Sequence, residues 1–419
     1  VAFALSGRAT IIGAGMAGLS AAVALAGHGW KVAIADSAAQ AGGRCRSYHD
    51  PQLDRVIDNG NHLVLAGNHA VRRYLKTIGA SDRIVGPASA AFDFVDLGDG
   101  ARWTIRPNDG PMPWWVFDPK RRGPGTGIAA YAALGRLLTG RKGERVSDRI
   151  SLDGTLGRRL IDPVLLSALN TDPREGSARL AAAIVKGSLA KGGRASAPRI
   201  AEPTLAAAFV DPALAWLNLR GGKLATGTRL RALMSEGDRV TGLDFGAGVE
   251  PVHGVVILAV PPWVAQSLIP DLAAPTEFRS IVNAHFAFVP PPGMPAMIGV
   301  IGGTAEWIFA FDNRISVTVS GADRLIDHDR EALARTFWAE IAQVHGLPAE
   351  LPPWQIVKEK RATFAATPAQ DALRPGAATR WRNLFLAGDW TQTGLPATIE
   401  GAIRSGETAA RLARRAAIG

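Results

Sequence analysis

Cysteine is almost missing from this chain: Cys45 stands alone among 419 residues. No intramolecular disulfide can form, which suits a reducing cytoplasm, and a thiolate zinc cluster is excluded. No apolar run reaches the ~20 residues that span a bilayer. The first apolar strand begins almost at once, with no charged n-region or cleavage site, so no secretory leader is expected. Zinc-finger, RNP-type and dense basic–aromatic tracts are missing too, and nucleic acid is not an expected partner. Acidic residues are in deficit, 37 against 47 Lys and Arg, for a formal charge of +10. The basic residues are dispersed and mostly Arg. An anionic membrane surface is one reading of that excess; an ordinary solvated surface is the other. The length suits two or three domains, and 47% hydrophobic residues describe a globular chain.

What is present begins with Ala9–Asp36. An apolar strand ends at Ile11 and Ile12, and Gly13, Gly15 and Gly18 follow in G-x-G-x-x-G spacing. Gly13 permits a sharp turn, Gly15 lets a pyrophosphate come close, and Gly18 lets the next helix pack on the sheet. An Ala/Leu-rich helix stops near Gly27 and Gly29. Lys31–Ala35 is a second strand, and Asp36 ends it where a carboxylate takes the ribose hydroxyls of an adenosine. Strand, turn, helix, strand and carboxylate together point to a dinucleotide site; a ligand-free glycine turn leaves their coincidence unexplained.

Gly42-Gly43 followed by Arg44 forms a second glycine turn, suited to adding amides and a guanidinium to a diphosphate site. Cys45, with no base beside it, reads as a small loop residue rather than a nucleophile. In Asp58–His62, His62 is either a proton donor near a cofactor ring or a hydrogen-bonded structural histidine. His69–Ile78 reads as a helix closed by Gly79, and Phe92–Ile105 as a hairpin. In Pro111–Gly125, Trp114, Trp115 and Phe117 sit beside Lys120, Arg121 and Arg122. That pattern fits a membrane interface, a lid over an apolar pocket, or a proline-stiffened core loop. Thr126–Leu138 reads as a helix of about four turns, with Arg136, Arg141 and Lys142 at its end. Two helices are expected in Leu152–Ala190, broken at Asn170–Pro173. Thr171 or Asp172 is expected to cap the second, and a ligand role for Asn170 stays open.

After Leu219, strands are expected around Leu230, over Arg239–Phe245 and over Val255–Val260, as returns to the first sheet. Ile281–Phe288, Ala296–Ile301, Trp307–Phe311 and Ile315–Val319 alternate in period two, as an antiparallel sheet does. Asp329–Val344 reads as an amphipathic helix and Trp354–Phe364 as extended. Near the end, Leu384–Ala387 is a buried strand, then Gly388-Asp389, then Pro396 as a first-turn residue of a long helix. Such a helix N-terminus, with free amides and a positive dipole end, stabilises a negatively charged ligand group.

The N-terminal fingerprint, the Gly42-Gly43-Arg44 loop and the stretch GDWTQTGLPATIEGAIRSG together resemble the FAD-dependent amine oxidase and phytoene desaturase superfamily. DNGNH at Asp58–His62, PWWVFDPKRRGPGT at Pro113–Thr126, ALNTDPREGSARL at Ala168–Leu180 and LPATIEGAIRSG at Leu395–Gly406 resemble the hydroxysqualene dehydroxylase family within it. The resemblance implies an α/β fold: a Rossmann-like FAD-binding domain of the glutathione-reductase type, with an inserted α+β substrate domain containing a mixed or antiparallel sheet. The FAD domain is expected from residues 1–75, 216–270 and 376–419, and the substrate domain from 76–215 and 271–375.

It also implies non-covalent FAD, since covalent attachment uses a cysteine near the C-terminal motif and Cys45 is far from it. Carried over by motif, Gly13, Ala14, Gly15, Met16, Ala17 and Gly18 hold the pyrophosphate. Asp36, with Ser37 after it, takes the ribose; the family usually has Glu there, one methylene longer. Gly42, Gly43 and Arg44 line the diphosphate and ribityl region, and Gly60, Asn61 and His62 approach the ring. The Leu230 backbone meets the adenine. Gly388 and Asp389 bind the ribityl–diphosphate part, and Thr398, Ile399 and Ala402 surround the isoalloxazine.

The implied reaction removes the hydroxyl of hydroxysqualene to give squalene, in bacterial hopanoid synthesis, with hydride from reduced flavin N5 to an allylic cation. His62, Asp58 and Asp172 are the candidate acids, each with a hydrogen-bonding or capping alternative. An amine oxidase or carotenoid desaturase of the same fold is the competing reading, and a non-catalytic lipid-carrying flavoprotein the third. Expected partners are a long apolar isoprenoid, an upstream enzyme of the squalene-synthase kind and an anionic membrane surface. The expected location is cytoplasmic, peripheral to the inner membrane in the fuller reading.

Overall fold

The computed structural model describes residues 7–417. The first sheet has five parallel strands, in the order Lys223–Ala225, Lys31–Ala35, Arg8–Ile12, Val255–Leu258 and Leu384–Leu386. Chain order reverses between Arg8–Ile12 and Val255–Leu258, and in such sheets the ligand crevice lies outside the carboxyl ends at that point. All four residues of Val255–Leu258 are buried: Val255 and Ile257 lie in the core of the Met16–Ala26 helix, and Val256 and Leu258 in one shared with Val240 and Leu243. The Met16–Ala26 helix covers one face and packs against the last helix, Ile399–Ala416. The approach is close. Gly406 meets the Ala17 carbonyl where a side chain would collide, and the Ser20 hydroxyl donates to the Ile403 carbonyl at 2.9 Å.

The second sheet has seven strands, in the order Trp354–Phe364, Phe278–Phe286, Arg314–Val319, Trp307–Phe311, Met297–Ile301, Phe92–Asp96 and Arg102–Ile105. Only the Met297–Ile301 and Phe92–Asp96 pair is parallel, so the sheet is mixed. Val282, Ala284, Phe286, Ile308 and Val317 on one face pack against the Arg330–His345 helix, whose N-terminus Asp329 caps.

Several elements differ from expectation. The short strand is Lys223–Ala225, and Leu230 lies buried in the following loop. Ala232–Glu236, Arg239–Asp244 and Val249–Pro251 form their own antiparallel sheet instead of rejoining the first. Leu205, Phe209, Val210 and Leu217 already belong to the core around Met16–Ala26, so the chain returns to the first domain before residue 216. The expected helix over Thr126–Leu138 spans only Ile128–Leu137, because the Thr126 hydroxyl turns back to the Gly123 carbonyl. Ser177, not Thr171 or Asp172, caps the Ala178–Gly187 helix; the Thr171 hydroxyl instead accepts from the Ala366 amide at 2.9 Å. Thr398, not Pro396, begins the last helix, accepting from the Gly401 amide at 3.0 Å, a cap worth about 1 kcal/mol. Among the described residues, no helix is long and apolar enough to cross a membrane.

Candidate active site

The carboxyl ends of the first sheet gather most of the expected cofactor residues. Gly13–Gly18 follows Arg8–Ile12, Asp36 and Ser37 follow Lys31–Ala35, and Gly388 and Asp389 follow Leu384–Leu386. Gly13 has φ +106°, and a Cβ there would strike the Ala259 carbonyl; one at Gly18 would strike the Gly13 carbonyl. Gly15 differs. Its φ is −75°, and the nearest atom to an added Cβ is the Gly43 Cα at 4.0 Å. The Gly42 amide donates to the Ala14 carbonyl at 2.9 Å, so the second glycine turn lies directly against the first. No side chain caps the Met16–Ala26 helix, and its first turn holds no acid. Its leading amides are therefore available to an external anion, and a pyrophosphate fits at this opening. Ala14, Met16 and Ala17 are buried and can offer only backbone.

Asp36 is engaged at its tip. One carboxylate oxygen accepts from the Ala14 amide at 2.6 Å and the other from the Ala38 amide at 2.8 Å. The shorter side chain therefore braces the glycine turn itself. The Asp36 amide donates to the Ala225 carbonyl at 2.9 Å, and the Thr228 amide to the Asp36 carbonyl at 2.8 Å. These bonds bring the segment leading to Leu230 beside Asp36, as an adenosine end requires.

Arg44 crosses to the far end of the chain, pairing with the buried Asp389 carboxylate at 2.7 Å and donating to the Ala362 carbonyl. Two residues here were not foreseen. The wholly buried Arg374 donates to the Asp389 carbonyl at 3.0 Å and to the Thr393 hydroxyl at 2.8 Å, and pairs with Asp371 at 3.1 Å. It thus fixes the turn that carries Asp389. Glu400 accepts from the Ala70 and Val71 amides at 3.2 and 3.0 Å, joining the last helix to the start of His69–Ile78. Beside it Ile399 and Ala402 are buried in the first core, with Thr398 partly exposed. An acid in a first helical turn was legible as a dipole partner; nothing in the sequence around Arg374 marks its role.

The Asp58–His62 loop lies on the second sheet. Gly60 abuts Asn283, the Asn61 amide nitrogen donates to the Thr318 hydroxyl at 3.0 Å, and that hydroxyl donates to Asn283 at 2.8 Å. Asp58 is buried and accepts from the Ser47 hydroxyl at 2.6 Å, the Leu205 amide at 2.9 Å and Arg314 at 3.2 Å. Burial raises its pKa and these three donors oppose the rise. Such a carboxylate is fully occupied in holding the loop. His62 faces Arg44. Burial first, and the Arg44 guanidinium second, push its pKa down to about 4, so it is neutral at pH 7 and a hydrogen-bond donor rather than an acid. Asp172 sits apart, 55% exposed, on a solvent-facing cleft of about 560 Å³ shared with Arg174, Arg279 and Arg324. The structure therefore gathers His62 with the cofactor residues, ties Asp58 into a structural pair and leaves Asp172 on the surface. Asn170 is buried and held by Thr363 and Gly321. The Cys45 thiol is buried and pushed up to about 12, which removes it as a nucleophile.

Directly paired residues share a sheet face. The face that carries Asn283, Ser316 and Thr318 therefore continues through Trp307, Phe309 and Phe311, then Met297, then Phe94 and Trp103. It changes from polar to aromatic strand by strand. Phe94 stacks on Trp103 with centroids 5.6 Å apart and meets Trp307 edge-on at 5.5 Å. The indole N–H groups of Trp103 and Trp307 are buried there without hydrogen-bond partners.

A parallel sheet with two facing glycine turns, an acid after its second strand and a carboxyl-terminal Gly-Asp turn defines a flavin-binding protein. The chain belongs to the flavin-containing amine oxidoreductase family, whose model matches residues 16–413, and within it to the hydroxysqualene dehydroxylases. It is 55% identical over 405 residues to hydroxysqualene dehydroxylase of Rhodopseudomonas palustris, covering 96% of this chain and 97% of that one. It is 50% identical to the Zymomonas mobilis protein of that name, covering 96% and 98%. Cyclohexylamine oxidase from Brevibacterium oxydans shares the fold, with a TM-score of 0.70 at 15% identity over 98% of this chain and 99% of that one. The protein is an FAD-dependent oxidoreductase.

Proposed function

We propose that this protein reductively removes the hydroxyl group of hydroxysqualene and gives squalene. The observation that carries the reading is whole-length similarity, at 50–55% identity, to proteins bearing that name. The second sheet supports it: from Asn283 and Thr318 its face turns apolar through Trp307, Phe309 and Met297, a surface that suits a long hydrocarbon. In the balanced reaction the alcohol takes up one proton and one hydride and releases water. When bound and reduced, the flavin supplies the hydride.

The chain's own residues do the rest. Trp307 and Phe309, on the strand beside Ser316 and Thr318, supply buried apolar surface that excludes water from this side of the Asn61 loop. The unpartnered Trp307 N–H, on the strand beside Thr318, offers a polar substituent a hydrogen bond within that apolar surface. His62, neutral at pH 7, contributes one N–H beside the glycine turns.

The test is anaerobic incubation of photoreduced enzyme with hydroxysqualene, following the flavin spectrum and extracting the lipid. Flavin reoxidation with matching squalene is expected. Neither occurring would sink the assignment, and rapid oxygen uptake with amines would replace it by the oxidase reading.

A further inference from the structure

Among the described residues, the only aromatic side chains in the set of exposed large hydrophobics stand in one turn: Trp114 at 62% and Phe117 at 58% exposure. Met112 and Ile128 nearby are exposed as well. Trp114–Phe117 is a 3₁₀ turn, in which residues three apart eclipse. Trp114 and Phe117 therefore stand together, ring centroids 6.1 Å apart, while Trp115 and Val116 turn inward. The base beneath them is well tied. Trp115 meets Tyr131 edge-on at 5.2 Å, and its amide donates to Asn108 at 2.9 Å. Asn108 donates in turn to the Met112 carbonyl at 2.9 Å, and the Tyr131 hydroxyl accepts from the Gly123 amide at 3.0 Å. Apolar side chains held out into water on a fixed base mark a surface that something covers.

The charge along this segment says what covers it. Lys120, Arg121 and Arg122 follow directly, and Arg136, Arg141, Lys142 and Arg145 come after the next helix. From Met112 to Arg145 there are seven basic residues and two acidic ones. Aromatic and aliphatic groups flanked by cations match a layer that is apolar inside and anionic at its rim. We propose that the Met112–Phe117 tip docks this protein on an anionic lipid bilayer, with Trp114 and Phe117 entering the interface and Lys120 and Arg121 meeting lipid phosphates. The attachment is one-sided, since no described helix can cross. The proposal stands independently of the substrate assignment.

The experiment is co-sedimentation of the FAD-loaded protein with vesicles of phosphatidylcholine alone and of phosphatidylcholine mixed with phosphatidylglycerol. Binding to the anionic vesicles is expected, weakened by added salt. The pair Trp114→Ala/Phe117→Ala and the pair Lys120→Gln/Arg121→Gln are each expected to lower partitioning by about tenfold or more. Retained flavin absorbance shows that each variant is folded. Equal sedimentation of wild type and variants, or equal binding to neutral and anionic vesicles, overturns the proposal. So does a dimer that Trp114→Ala/Phe117→Ala abolishes in a protein that ignores vesicles, which would assign the tip to a second copy.

Discussion

Arg44 and Asp389 hold each other at 2.7 Å across 345 residues of chain. One belongs to the second glycine turn and the other to the turn after the last strand, so their contact draws the two halves of the flavin site together. Asp389→Asn is expected to weaken FAD retention by about tenfold, since a charge-assisted bond to a buried carboxylate is lost. Flavin content after gel filtration against dilution checks this, and unchanged retention would make the pair incidental.

The three fingerprint glycines separate by experiment. Gly13→Ala and Gly18→Ala collide with backbone carbonyls and should fail to give folded protein. Gly15→Ala has room and an ordinary φ, so it should fold yet lose FAD affinity, because its methyl occupies the pyrophosphate's approach. Circular dichroism beside flavin absorbance distinguishes the cases. A Gly15→Ala protein with full FAD affinity would place the phosphate elsewhere.

Asp58 and Arg314 form an ion pair with both side chains under 5% exposed. Removing one partner leaves the other charge buried, at a cost of about 3–5 kcal/mol. Arg314→Leu should therefore lower the urea midpoint strongly. A variant with wild-type stability would reopen Asp58 as a free acid.

Acid should loosen the fold. Burial, first among the causes, pushes His62 and His345 down to about 4 and His285 to about 3, from an ordinary 6.5. Between about pH 6.5 and 4 the unfolded chain binds protons that the folded one refuses, so stability falls with pH through that window. Glu306, raised to about 7 by burial, works in the opposite direction. Melting temperatures of wild type and His285→Gln from pH 8 to pH 4.5 check the sign: the variant should fall less steeply, and parallel curves would reject the account.

FAD should leave the chain on denaturation. Cys45 is the lone thiol and is buried and protonated, unsuited to a covalent flavin bond. Acid precipitation should leave the yellow colour in the supernatant; colour in the pellet would contradict it.

The sequence made the first βαβ unit readable because each of its residues has one local job: a turn, a close approach, a carboxylate. His69–Ile78 was equally plain, with Gly79 as its stop. The loop at Leu230 was misplaced because its bonds go to Asp36 and Ala38, nearly 200 residues earlier. Thr171 looks like a cap in sequence, but its hydroxyl serves Ala366 from another segment. Arg374 and Arg314 were invisible for the same reason: their meaning lies in remote carbonyls and carboxylates. The polar-to-aromatic gradient of the second sheet appears only when strand register is known.

The first sheet places Leu384–Leu386 beside Val255–Leu258, at the edge that completes the crevice. During synthesis the glycine fingerprint leaves the ribosome long before that strand exists. The early segments can collapse first, but Arg44 must wait for Asp389, and the amides of Ala70 and Val71 must wait for Glu400. The crevice is therefore complete only once the last strand and the last helix have joined the segments made first.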